Sequence, residues 1–308
     1  MRELNRICGD SSIRFAHYTK ADTAEMIMKG QKVWLRNARL MNDYSEIEHG
    51  HECIKLCLED ATVRRRFDEV LSKLDLGFAE RILNEFSSSE TSRHEETYMV
   101  SLCEHKTSDR HGRLSMWRAY GGDTSVALVL NKKALFSNNI AVPVIVSPVL
   151  YAESELFKER FIEVIRGMEE NLPFLKSLEL DIVTGILTLA LDYASLCTKH
   201  PGFGEETEWR GINSNRFRSL FQGIQPLVEK RLEINNVMQN IKVLPLKHDP
   251  LNGIIGLSVP DFVEEIIVGP MEFPNDIRDQ MISALSSMGD KKASDKVRVS
   301  NIPLRRGQ

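Results

Sequence analysis

Ser125-Val126-Ala127-Leu128-Val129-Leu130 follows Gly121-Gly122 and is a short continuous apolar run after its first residue, rich in Val and Leu. It reads as a buried strand. Working outward from it decides the fold class. Downstream, Val142 to Val149 reads as another strand. From Ser154 to Ser195 apolar residues recur at three and four, the pattern of helix. His200-Pro201-Gly202-Phe203-Gly204 is a loop, and Glu205 to Gly211 reads as a strand. Upstream, Ser115 to Tyr120 is one helical turn, Glu104 to Arg113 a charged loop, and Tyr98 to Leu102 a strand. The chain opens with a strand over Ile13–Tyr18, a helix over Lys20–Lys29 stopped by Gly30, and a strand over Lys32–Arg36. Glu46–Cys57 and Ala61–Phe86 read as amphipathic helices, with a polar, mobile connection over Ser87–Glu96. Leu257–Val259 and Glu265–Val268 read as late strands and Pro274–Met288 as a final helix. Strands and helices do not alternate regularly, so the expected class is α+β rather than a doubly wound sheet. The expectation is one domain over 1–308, built on a split, mostly antiparallel sheet, with 154–195 as a helical insertion.

The chain has 308 residues, 42% of them hydrophobic and 27% charged, enough to bury a sizeable core. Its net charge of −4 argues against a nucleic-acid coat protein. The strongest basic run, Arg64-Arg65-Arg66, is flanked by Glu59, Asp60, Asp68 and Glu69 and reads as a solvated helix face. Five cysteines without a regular framework point to a reducing compartment, and hence to a cytoplasmic protein. Cys53 and Cys57 share a helix face but lack a second pair, so buried thiols are expected there rather than zinc. The most apolar window, Ile182–Leu191, is too short to span a bilayer, and no membrane partner is expected.

Three stretches can carry chemistry: His17-Tyr18-Thr19, Met116-Trp117-Arg118-Ala119-Tyr120-Gly121 and Glu205-Glu206-Thr207-Glu208-Trp209-Arg210. A weaker one is Asn42-Asp43-Tyr44-Ser45-Glu46, where Asp43 or Ser45 can simply cap the following helix. His49 and His51 do not share a helix face and are poor metal partners.

The order of His17-Tyr18, Trp34-Leu35 with Asn42-Asp43 and Glu46, Met116-Trp117 with Tyr120-Gly121, and Glu206-x-Glu208-Trp209-Arg210 resembles an uncharacterised bacterial family, the domain of unknown function 2971. Ile266-Ile267-Val268-Gly269-Pro270 and Ser300-Asn301-Ile302-Pro303-Leu304-Arg305 resemble its closing elements. That family is in turn similar to ADP-ribosyltransferases. The resemblance implies an ADP-ribosyltransferase-like fold and NAD as substrate. It implies His or Arg on the first strand, an aromatic residue near the middle and Glu on a late strand. ADP-ribosyl transfer or NAD hydrolysis is then the expected activity, with protein, nucleic acid or water as acceptor and a toxin or defence effector as the setting.

The residue chemistry stands beside this. Breaking the nicotinamide–ribose bond builds positive charge on the ribose carbon, which a nearby carboxylate stabilises. Glu208 is the expected stabilising group. Glu206, on the same side of a strand, faces the acceptor. Two such carboxylates raise one pKa by mutual repulsion, which Arg210 on that face can relieve. Trp209 anchors the alternate face in the core. His17 can donate a hydrogen bond to ribose; alternation turns Tyr18, a further cofactor-binding candidate, to the opposite side. Tyr120 can stack on the cationic nicotinamide ring, Trp117 is either a cofactor contact or core, and Arg118 either binds pyrophosphate or is solvated. The bland alternatives are a solvated acidic loop at 205–208 and a satisfied histidine at 17.

Two other function classes compete. One is a degenerate fold that binds a nucleotide or partner without turnover, as a sensor. The other is a metal-dependent nuclease using Asp43, Glu46, Glu206 and Glu208, for which no dense carboxylate motif exists.

Overall fold

The computed structural model describes residues 2–40, 44–136, 142–234 and 236–303. Asn42 and Asp43, and the side chains of Ser45 and Glu46, lie outside them, and with them the capping and nuclease readings of that loop.

Helix α1 (Arg2–Gly9) precedes β1 (Ile13–Lys20), α2 (Ala21–Gly30) and β2 (Lys32–Asn37). α2 stops because Gln31 turns left-handed (φ 46°) and its amide returns to the carbonyls of Ile27 and Met28. The expected stop at Gly30 is therefore one residue early. A helical run follows: α3 (Tyr44–Glu59), α4 (Ala61–Leu71), α5 (Phe78–Ser88) and α6 (Glu90–Glu95). The single helix expected over 61–86 is broken at a left-handed Gly77. The connection expected to be polar and mobile over 87–96 instead holds α6, with Arg93 and His94 buried. Next come β3 (Thr97–Lys106), α7 (Leu114–Tyr120), β4 (Ser125–Leu130), α8 (Lys132–Phe136), β5 (Ile145–Pro148) and β6 (Leu150–Tyr151). The charged loop thus begins later than its composition suggests, because β3 runs through Lys106. Helices α9 (Ser154–Glu170), α10 (Leu172–Lys176) and α11 (Leu180–Leu196) lead to β7 (Thr198–Lys199) and β8 (Glu208–Ser214). The chain closes with β9 (Val228–Ile234), β10 (Val237–Pro245), α12 (Val259–Phe262), β11 (Val263–Val268), α13 (Pro274–Ser287), α14 (Ala293–Lys296) and β12 (Val297–Val299). The strand expected at 257–259 is instead the entry to α12, where Pro260 suits a first helical turn.

The main sheet is mixed with helices and mostly antiparallel, as expected. Among the described residues only the β11–β12 pair within it is parallel, and β6–β7 form a second, parallel pair. Its organising strand is β3. Along one edge β3 pairs first with β2, at Tyr98 and Met99, and then with β1, from Cys103 to Lys106. Its other edge pairs with β8 from Thr97 to Cys103, and β8 carries β5. The sheet therefore forks: one arm runs β1-β4-β11-β12 and the other β2-β10-β9.

Register assigns every side chain on β1, β3 and β8 to a face. Ala16 lies opposite Cys103, and Cys103 opposite Glu208; Ser101 lies opposite Arg210. One face thus carries Ala16, Tyr18, Ser101, Cys103, Glu208 and Arg210. The other carries Phe15, Leu102 and Trp209, whose rings meet edge-on at 5.4 Å between Phe15 and Trp209. α1, α2, α8 and α12–α14 cover the Phe15 face and form the main core. α7 packs on the Tyr18 face through Met116 and Trp117.

The stretch 154–195, expected as a helical insertion, forms α9, α10 and α11. α9 and α11 pack with α3, α4 and α5 around Ile54, Phe67, Ile82, Phe161 and Leu191. Cys53 and Cys57 are buried free thiols of this layer. The close approach of α3 and α11 requires Gly50, where a Cβ would lie 2.1 Å from the carbonyl oxygen of Ser195. In the basic run only Arg65 is strongly exposed; Arg64 pairs with Asp68 and Glu80, and Arg66 with Glu169.

Candidate functional site

A polar cluster lies on the Tyr18 face at the head of β8. Here the sequence folds locally against expectation: the strand begins only at Glu208, and Pro201–Glu206 is a 3-10 turn. Thr207 between them is left-handed (φ 43°, ψ 51°), a conformation a β-branched residue rarely takes. Its hydroxyl accepts from Arg113, 2.5 Å away, and the same guanidinium bonds the carbonyls of Glu205 and Glu206 at 3.0 and 2.7 Å and of Glu104 at 2.6 Å. Arg113 thus holds the turn in place. Strand alternation therefore does not bring Glu206 and Glu208 together; the left-handed turn does.

Both carboxylates meet the ammonium of Lys199, at the end of β7. Its Nζ is 2.5 Å from Oε2 of Glu206 and 3.2 Å from Oε2 of Glu208. Arg210, two residues on and on the same face, grips Glu208 with both arms: Nε to Oε1 at 3.0 Å and a terminal nitrogen to Oε2 at 3.1 Å. The remaining guanidinium nitrogen donates to the carbonyl of Leu196, tying β8 to the end of α11. Ser101 adds a hydrogen bond to the Glu208 carboxylate, and the Glu208 amide donates to the Tyr151 hydroxyl at 2.7 Å. The Phe203 ring lies 4.8 Å from the Lys199 ammonium.

Burial separates the two acids. The side chain of Glu208 is 4% exposed and that of Glu206 15%. Burial alone pushes the Glu208 carboxyl up, but Arg210, Lys199 and Ser101 outweigh it and hold the group below its ordinary value of 4.5. Arg210 thus relieves the repulsion expected between the two carboxylates, and Lys199 adds to its effect. Burial raises the Tyr151 hydroxyl.

The aromatic candidates divide. The Tyr120 hydroxyl donates to Oε1 of Glu206 at 3.4 Å, so Tyr120 joins the cluster. Tyr18 is buried under α7, its ring edge-on to Trp117 at 4.6 Å and its hydroxyl accepting from the Arg113 amide at 3.0 Å. Burial raises it to about 12. Trp117 is core, with Nε1 donating to the carbonyl of His111. Arg118 is exposed.

His17 does not join. It lies on the other face of the sheet from Glu208, as alternation with Tyr18 requires. Its Nδ1 is 3.0 Å from the carbonyl oxygen of Ser101. Its ring lines a small apolar cavity of about 60 Å³ at the fork of the sheet, beside Val33, Val100, Val144, Leu244 and Leu246. Burial lowers its pKa. The convergence of His17, Tyr120 and Glu208 on one pocket is thus not observed: the sheet stands between His17 and the other two.

Lys199, Arg113, Tyr151 and Ser101 escaped sequence reading. Lys199 lies one residue before the expected loop at 200–204, and its partners come from a turn and a strand that only tertiary structure brings to it. Arg113 ended a stretch that reads as a solvated loop. Among the described residues no three His, Cys, Asp or Glu side chains gather as a metal would need, and no helix is long and apolar enough to cross a membrane.

No curated protein and no solved structure matches the chain. Residues 116–211 run from Met116 of α7 to Gly211 of β8 and so contain Tyr120, Tyr151, Lys199, Glu206, Glu208 and Arg210. Over this stretch, which holds most of the cluster, the chain matches the model of the family described as protein of unknown function (DUF2971), and it is that family the chain resembles.

Proposed function

We propose that the cluster between α7 and the helical layer takes NAD and that the protein transfers its ADP-ribose or hydrolyses the nicotinamide–ribose bond. The observation that carries this reading is the pair of carboxylates gathered on one ammonium, Glu206 at 2.5 Å and Glu208 at 3.2 Å from Lys199 Nζ, with the Tyr120 hydroxyl against the more accessible one. In the reaction the C1′–N bond of the nicotinamide ribose breaks and its electron pair stays with nicotinamide. An acceptor oxygen or nitrogen then forms the new bond to C1′ and gives up its proton. A carboxylate stabilises the cationic carbon as it forms and can take that proton. Burial favours Glu206 for these tasks and Glu208 as the charged anchor that keeps Lys199 and Arg210 in place. Tyr120 is suited to stack on the nicotinamide ring.

A second reading, binding of a nucleotide or partner without turnover, draws support from one observation: both oxygens of Glu208 are already taken by cations. Incubation with NAD, with and without EDTA, separates the two. Metal-independent release of nicotinamide is the expected result. Binding without release selects the second reading, and neither binding nor release removes both.

A further inference from the structure

Away from the carboxylate cluster, three arginines from three segments frame one cavity. Arg110 comes from the loop between β3 and α7, Arg278 from α13 and Arg298 from β12. His111 and Asn301 complete its polar wall, and its volume is about 320 Å³. The geometry points to a binding site for a small phosphate-bearing ligand, a diphosphate group above all.

The charges decide this. Arg298 is the built part of the wall. It pairs with Glu265 and donates to the carbonyls of Asp109 and Arg110, which fixes the loop that carries Arg110 and His111. Asp109, the other nearby acid on that loop, is occupied with the amides of His111 and Gly112 and lies 3.7 Å from His105. Asp279 makes one long contact, 3.4 Å, with one nitrogen of Arg278. Arg110 is exposed and its guanidinium has no partner among the described residues, while Arg278 keeps the rest of its donors. Two guanidiniums from separate elements thus face a shared concavity, with Asp109 committed to the loop amides and Asp279 touching one nitrogen of Arg278 alone. His111 is fixed by Nδ1, 2.5 Å from the carbonyl oxygen of Ser300, which leaves its other nitrogen for a ligand. Asn301 adds a side-chain amide beside it, from a left-handed residue (φ 56°).

Planar, forked donors arriving from different sides match an anion with several oxygens around a tetrahedral centre better than a single carboxylate. The volume suits part of a small molecule, and the net charge of −4 disfavours a nucleic-acid backbone as the occupant. The site is independent of the reading of the Glu206 cluster.

The test is calorimetric titration of the full chain with inorganic pyrophosphate, then ADP, with adenosine and a short single-stranded oligonucleotide as comparisons. Arg110→Gln and Arg278→Gln are measured alongside, after confirming that both melt as the parent does; Arg298 is left intact because it holds the wall. Pyrophosphate and ADP are expected to bind, adenosine not to bind, added salt to weaken binding, and each variant to weaken it about tenfold. The assignment is overturned if pyrophosphate fails to bind at millimolar concentration, if the variants bind it as tightly as the parent, or if the oligonucleotide outcompetes it.

Discussion

The Nε of Arg93 donates to Oδ1 of Asp192 at 2.6 Å, with both side chains closed to solvent, so that an ion pair of residues 99 apart in sequence sits inside the helical layer. Arg216, just beyond β8, grips the other oxygen of Asp192 at 2.9 Å, and the Arg93 guanidinium also lies 4.0 Å from the ring centre of Phe86. Asp192 is thus the tie between α6, α11 and the edge of the sheet. Replacing it strands a fully buried guanidinium, and removing one partner of a buried pair costs about 3–5 kcal/mol. Asp192→Asn is expected to unfold at markedly lower urea concentration than the parent. Unchanged midpoints would show that the network contributes nothing to stability.

Glu206→Gln and Glu208→Gln are expected to fail differently. Lys199 keeps Glu208 when Glu206 is neutralised, so Glu206→Gln should melt as the parent does. If Glu206 stabilises the developing cation, nicotinamide release falls on the order of 10²–10³-fold. Glu208→Gln leaves Arg210 and Lys199 without their buried counter-charge and should melt lower. Equal turnover in Glu206→Gln and parent would remove Glu206 from the chemistry.

Acid should act on the fold through Glu208. Its folded carboxyl is held below the ordinary value of 4.5, so its contribution to stability is present above that value and is lost as pH falls through the folded one. Arg210→Met removes the first counter-cation, and burial then pushes the carboxyl up. Thermal melts at stepped pH are expected to show acid destabilisation of Arg210→Met starting at higher pH than in the parent. Superimposable profiles would contradict the assignment.

His17→Phe probes the other face. Burial holds the folded imidazole below its ordinary 6.5, so its folded form resists protonation. Stability is complete above that value and declines as pH falls from it toward the folded value. The variant should flatten part of this decline; His94 and His105, also lowered by burial, retain the rest. Nicotinamide release should be unchanged, because the sheet separates His17 from Glu206. A loss of turnover at parental stability would return His17 to the site.

Several elements were legible because their causes are local. A continuous apolar run marks β4 and the period of apolar residues marks α11 without help from the rest of the chain, and the alternation of Phe15, Ala16, His17 and Tyr18 puts His17 and Tyr18 on opposite faces. Trp209 as a core anchor flanked by Glu208 and Arg210 on the opposite face is equally readable, since a period of two needs no partner. The hairpin β9–β10 is not legible in the sequence. Its first strand is almost wholly exposed and so carries no burial pattern.

By itself, then, the sequence determined the α+β class, the candidates at 117–120 and 206–210, and the face each β1 and β8 residue takes. It could not say which faces would meet. Whether His17 shares a pocket with Glu208 depends on which edge of β3 each strand joins and in what register. Those are choices between distant segments, settled by packing and burial of whole elements. The cation that gathers the two carboxylates, Lys199, comes from β7, and the turn that lets it do so is a left-handed Thr207 held by Arg113. A single ammonium can hold two acids there because burial strengthens their attraction and the surrounding fold bears the strain of the turn. Neither condition exists until the chain has folded.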